Sequence, residues 1–301
     1  MRFSFYLPCY WPALGYPAQE MYRDAVEEGQ LAEDLGFDTL CIPEHHFINY
    51  LTPPQPLLTA VKVAAATRAI KIITSVLVLP IYDIRRLAGE ICQTDCLTDG
   101  RIEIGVGRGA FAYEFNRFNV PPEESRARFD DSLALLEALL TGKETGWKSE
   151  WYDFEPVAIT PHPVQKSIPI WIAALSYPAI YHSAKRGYHI QTTPLRGGME
   201  TVKTQATAFN DAVRDAEGTL DHLKFSMLRM LYVARDQADA DEKVAMAYEN
   251  HRRFCNVYDT PGTVKDGAIV PIDVEESIDD VRDALLIGTV PEIIDKLGAY
   301  N

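Results

Sequence analysis

Gly36-Phe37-Asp38-Thr39-Leu40-Cys41-Ile42-Pro43-Glu44-His45-His46-Phe47 is an apolar run that stops on an acid and two adjacent histidines. A buried strand that ends in titratable groups puts chemistry where a sheet meets solvent, so this segment is the first candidate for a site. Outward from it, short apolar runs alternate with segments of helical period. Strands are expected at 2–7, 39–42, 70–79, 101–106, 169–173, 189–193 and 225–233. Helices are expected at 19–35, 56–67, 84–97, 123–140, 178–186, 200–215 and 239–256, with Pro121-Pro122 and early acids marking the start of the fourth.

Seven βα units in strict alternation exceed what an open doubly wound sheet needs and approach the eight of a closed (β/α)8 TIM barrel, which is the expected fold. One domain over residues 1–301 is expected, with no linker. Two segments interrupt the alternation: 147–159, rich in aromatics, and 259–286, a Gly/Pro loop leading into an acidic stretch. Both read as insertions at the C-terminal face, walls or lids for a site. Gly288-Thr289-Val290-Pro291-Glu292 opens a helix running to Asn301, and no eighth strand follows it, so the last βα unit is expected to be missing.

Composition narrows the function. With 29 basic against 43 acidic residues, a formal charge of −14 repels phosphate backbones and anionic lipid, which excludes nucleic acid and membrane surfaces as expected partners. No apolar run reaches the roughly 20 residues of a membrane span, and the first residues enter an alternating strand without a signal-peptide core, so a cytoplasmic location is expected. Cys9, Cys41, Cys92, Cys96 and Cys255 contain no Cys-x-x-Cys pair and read as reduced thiols.

In a barrel every strand delivers its C-terminal end to one face. Glu44, His45 and His46 then meet Leu79-Pro80, Gly105-Val106-Gly107-Arg108-Gly109 and Ala174-Leu175-Ser176. A cation flanked by glycines suits a phosphate, because glycine lets the backbone approach and the guanidinium grips two oxygens. Ser176, just before a helix, adds a hydroxyl and helix-start amides. Neighbouring side chains on a strand diverge, so His45 and His46 are not expected to share a metal. One histidine at such a position is either a general base or an ordinary hydrogen-bonded residue. Arg126, early in its helix, reads from position alone as solvated, and Tyr10-Trp11-Pro12 with Tyr16 as an apolar wall.

Three segments together carry a resemblance: Gly36-Phe37-Asp38-Thr39 with Glu44-His45-His46-Phe47; Thr74-Ser75-Val76-Leu77-Val78-Leu79-Pro80; and Asp99-Gly100-Arg101-Ile102-Glu103-Ile104-Gly105-Val106-Gly107-Arg108-Gly109. In order and spacing the chain resembles the bacterial luciferase-like flavin monooxygenases, of the alkanal monooxygenase alpha-chain type. Gly288-Thr289-Val290-Pro291-Glu292 is similar to the Gly-Thr-Pro-Glu before the last βα unit of that family. The resemblance implies a barrel that binds reduced FMN from a separate flavin reductase and activates O2 as a C4a-hydroperoxyflavin to oxidise a small apolar aldehyde or ketone. It implies His45, beside Glu44, as the catalytic base. Arg108, Gly109, Arg126, Ala174, Leu175 and Ser176 are the implied cofactor contacts, and Ser75-Val76 the implied non-prolyl cis peptide beside the flavin. A homodimer is also implied. Leu175, Ala179 and Gly107 stand where luciferase α subunits have an acid, a threonine and a cysteine, so phosphate contacts should differ in detail. An F420-dependent hydride-transfer enzyme and a non-catalytic flavin-binding subunit are the alternatives.

Overall fold

The computed structural model describes residues 2–300 and divides into two compact units. The first comprises residues 2–173 with 266–268. It contains β1 (Ser4–Tyr6), α1 (Ala18–Asp34), β2 (Thr39–Ile42), α2 (Pro56–Ala64), β3 (Lys71–Thr74), β4 (Leu77–Val78), α3 (Ile84–Leu97), β5 (Ile102–Gly107), α4 (Ala112–Arg117), α5 (Ser125–Leu140), β6 (Thr145–Lys148), β7 (Asp153–Val157) and β8 (Ile170–Ala173). Its sheet is parallel, with Ser4 opposite Thr39, Thr39 opposite Lys71, Ile72 opposite Ile102 and Ile104 opposite Ile170. Helices cover strands that are mostly apolar, Thr39–Ile42, Lys71–Thr74 and Ile102–Gly107 being largely buried, the pattern of a parallel sheet covered on both faces. α1 buries Met21, Ala25, Gly29 and Ala32 along one stripe. Gly36, at φ +83°, makes the left-handed turn that leads out of α1 toward β2. Ile72, Ile102 and Ile104 are wholly buried, each stabilising the fold by about 1.5–3 kcal/mol.

Three local differences from the sequence expectation appear here. The strand expected at 70–79 breaks at Ser75 and Val76: β3 pairs with the start of β5, whereas β4 pairs with its end, Leu77 opposite Val106 and Val78 opposite Gly107. The peptide bond between Ser75 and Val76 is cis. Residues 111–120, which fall between the strand expected at 101–106 and the helix expected at 123–140, contain a further helix, α4, because Phe111, Tyr113 and Phe115 bury their rings and the helix satisfies the backbone beneath them. The segment expected as a lid at 147–159 is an antiparallel hairpin, β6 with β7.

The second unit comprises residues 174–265 and 269–300. It contains α6 (Tyr177–Lys185), β9 (His189–Thr192), α7 (Met199–Arg214), β10 (Phe225–Met227), β11 (Leu231–Ala234), α8 (Gln237–Asp259) and β12 (Val264–Lys265). β13 (Ala268–Ile269) follows, then α9 (Ile278–Ala284), β14 (Leu286–Thr289) and α10 (Val290–Gly298). The strand expected at 225–233 splits: β10 pairs with β9, while β11 pairs in parallel with β14 in a separate two-stranded sheet. The segment before the last helix is therefore a strand. Thr289 ends it and opens α10 through a capping box with Glu292. Asn301, the expected end of that helix, lies outside the described residues.

Candidate active site

The end of β2 carries two carboxylate–histidine pairs. Glu44 is 2% exposed; its Oε1 lies 2.7 Å from His46 Nε2 and its Oε2 accepts the Val78 N–H at 3.0 Å. Burial pushes the Glu44 carboxyl up, and His46 pulls it back toward the charged form. The Tyr82 phenol beside it is pushed well up by its own burial and by the Glu44 charge. His45, past the end of β2, has a different partner. Its Nδ1 is 3.1 Å and 3.3 Å from the two oxygens of Glu114. Glu114 Oε1 also accepts the His46 backbone N–H at 2.6 Å. The His45 ring stacks on Phe111, with centroids 4.5 Å apart and planes 16° from parallel, and Tyr50 lies 5.8 Å away.

Glu114 is the residue of this cluster that the sequence reading missed. Its only signal was an acid inside Phe111-Ala112-Tyr113-Glu114-Phe115, where burial of the flanking rings forces the acid inward and obliges it to find donors. Among the described residues, no group of three or more His, Cys, Asp or Glu side chains is placed to hold a metal.

The end of β5 is built differently. Gly107 has no room for a side chain, since a Cβ would lie 2.5 Å from the Val76 side chain. Gly109 adopts φ +87°, and a Cβ there would lie 2.7 Å from both Phe115 and Val78. Between these glycines Arg108 is exposed and makes no hydrogen bond or ion pair among the described residues. Ser75, in the break between β3 and β4, donates its N–H to the Ile42 carbonyl at 2.6 Å and so ties the cis peptide to the end of β2. Arg126 stands on the outer side of α5, paired with Asp130 at 3.1 Å, and both are exposed.

Ala174, Leu175 and Ser176 belong to the second unit. Ala174 N–H donates to the Gln191 carbonyl at 3.0 Å, and the Leu175 carbonyl accepts from Gln205 Nε2 at 2.9 Å. Ser176 caps α6, its hydroxyl accepting the Ala179 N–H at 3.4 Å. Pro178 has no N–H and the Ile180 N–H is spent on the Ser176 carbonyl, so the helix start offers an anion fewer amides than the sequence suggested.

The β1–α1 loop and α1 enclose a cavity of about 380 Å³, walled by Tyr10, Trp11 and Tyr16 with Met21, Asp24 and Glu28. The loop is pinned by Trp11 Nε1–H to the Tyr16 carbonyl at 2.8 Å and by the Tyr16 hydroxyl to Asp24 at 2.7 Å. The expected aromatic wall is present, but two acids share it.

The model of the family described as luciferase-like monooxygenase matches residues 1–301. The chain belongs to the luciferase-like monooxygenase family. A protein of Sinorhizobium fredii called uncharacterized protein y4vJ is 33% identical over 286 residues, 91% of this chain and 80% of that one. The oxygenase component of the flavin-dependent trigonelline monooxygenase of Acinetobacter baylyi is 27% identical over 312 residues, 100% of this chain and 86% of that one. Monooxygenase RslO1 from Streptomyces bottropensis superposes with a TM-score of 0.84 at 25% identity, covering 100% of this chain and 89% of its own. An F420-dependent secondary alcohol dehydrogenase shares the fold, with a TM-score of 0.78 at 16% identity over 99% of this chain and 89% of its own. The resemblance read from the motifs is borne out, as is the α/β barrel class of this luciferase-like chain. No described helix is long and apolar enough to cross a membrane.

Proposed function

We propose that this luciferase-like protein is the oxygenase component of a two-component system that uses reduced FMN and O2 to oxidise a small organic molecule such as an aldehyde or ketone. The observation that carries this reading is the pairing of a carboxylate-held histidine at the end of β2 with an unpaired, glycine-flanked arginine at the end of β5, in a chain of this family. The residues present fit FMN: Arg108 is a free guanidinium at a point where glycine backbone lets an oxyanion approach. When bound, reduced FMN supplies the electrons that activate O2.

The protein's share is positioning and proton handling. Arg108 and Gly109 receive the phosphate, and Arg126 is available to an anion only by leaving Asp130. His45 exchanges a proton with the reacting oxygen through Nε2, the nitrogen that Glu114 does not hold. Glu44 acts through His46 rather than on substrate. Ser75 and Val76 form the backbone wall against the ring. The trigonelline enzyme is named an oxygenase component, which supports a separate flavin reductase as the source of FMNH2. A homodimer remains part of this proposal.

A second reading, F420-dependent hydride transfer, is favoured by one observation, the shared fold of the F420-dependent alcohol dehydrogenase. The experiment is to load the protein anaerobically with photoreduced FMN, add ¹⁸O2 and a panel of aldehydes and ketones, and weigh the products. One ¹⁸O atom in an organic product supports the proposal; hydrogen peroxide alone, with alcohol oxidation when F420 is supplied, contradicts it.

A further inference from the structure

We infer that Glu114 is the positioning residue for His45, fixing its imidazole as the Nδ1–H tautomer so that Nε2 carries the lone pair used in proton transfer. The inference rests on the role proposed above for His45 and assigns a residue to serve it. A neutral imidazole has one N–H and one lone pair, and the partner of one nitrogen decides the state of the other. Here the partner is an acceptor with both oxygens turned to Nδ1, at 3.1 Å and 3.3 Å.

The carboxylate is itself held. Its Oε1 accepts the His46 backbone N–H at 2.6 Å, and its side chain is 7% exposed against 18% for His45. Glu114 therefore cannot turn away without stranding a backbone donor, which costs about 1–3 kcal/mol. Phe111, on the same short segment, stacks on the imidazole face and blocks rotation out of plane. His46 shows the contrast: its ring nitrogen Nε2 is taken by Glu44 at 2.7 Å, and Phe118 closes on it edge to face at 4.9 Å. Of the two adjacent histidines, His46 spends Nε2 on Glu44, whereas His45 has no hydrogen bond at Nε2 among the described residues.

The test uses the whole chain labelled with ¹⁵N-histidine, without flavin, read by long-range ¹H–¹⁵N correlation at a pH where the ring is neutral, with His45→Asn to assign the signal. In the wild type the His45 signal should be that of the Nδ1–H tautomer. In Glu114→Ala, and in Glu114→Gln, where His46 N–H holds the carbonyl and turns the amide N–H toward Nδ1, the Nδ1–H share should fall below half. Turnover with reduced FMN should fall about 10- to 100-fold in both variants, with FMN affinity within about threefold. An Nε2–H tautomer in the wild type, or a tautomer that neither variant changes, would overturn the assignment. The spectra need no cofactor, so they judge Glu114 even if the wild type oxidises nothing with FMN, which would sink the monooxygenase reading alone.

Discussion

The ends of β2 and β5 lie in the same unit and are finished in opposite ways. At β2, Glu44 and Glu114 are buried, and their oxygens are engaged by His46, Val78 and His45. At β5, Arg108 stands exposed without a hydrogen-bond or ion-pair partner among the described residues. A group that must present one atom in one orientation is held by buried partners, because an unsatisfied carboxylate in the interior is costly. A group that must take an anion from solution is left open, because a standing ion pair would have to be broken first. On the function proposed above, the β2 end serves the chemistry and the β5 end the capture of the cofactor.

Substitutions at the two ends should separate those roles. The largest effect is expected from His45→Ala, which should cut turnover by about 10²-fold or more, the scale of a lost acid or base, while FMN affinity stays within a few-fold. Unchanged turnover would remove His45 from the mechanism. Next, Arg108→Ala should weaken FMN binding by about 1.5–3 kcal/mol, the worth of a charged hydrogen bond, without changing thermal stability. A drop in melting temperature with FMN affinity intact would mean that Arg108 belongs to the frame after all.

His46→Ala should do the converse, costing about 1–3 kcal/mol of stability in urea unfolding, because Glu44 then keeps a buried oxygen without its partner. A neutral result would show that Glu44 is satisfied otherwise. The smallest effect is a pH signature. Burial raises the Glu44 carboxyl in the folded chain, so the folded state holds this proton longer than the unfolded one. Its stability contribution is full below the unfolded carboxyl value of about 4.3 and is lost as pH rises through the raised folded value. Glu44→Gln should flatten that decline in a series of melts, and Arg108→Ala should leave it alone.

The sequence disclosed most of this frame because its signals are local. Apolar runs ending in Glu44-His45-His46 and in Gly107-Arg108-Gly109 announce strand ends, and the gaps between strands have helical period. What stayed hidden depends on contacts distant in the chain. Glu114 meets His45 across 69 residues, and the aromatic stretch that turns this acid inward does not tell which distant group it will meet. The break at Ser75 and Val76 lies inside a segment of strand-forming residues that reads as one strand, and only the family resemblance marked its cis peptide. The division of 225–233 between two sheets was invisible for the same reason, since periodicity describes a strand and not its neighbour.

The most direct test of the central claim is anaerobic titration of wild type and Arg108→Ala with reduced FMN, with F420 alongside, followed by fluorescence. The account predicts that wild type binds reduced FMN more tightly than F420 and that Arg108→Ala loses at least about tenfold of that affinity, the equivalent of about 1.4 kcal/mol. Tighter binding of F420, or equal FMN affinity in the two proteins, would contradict it.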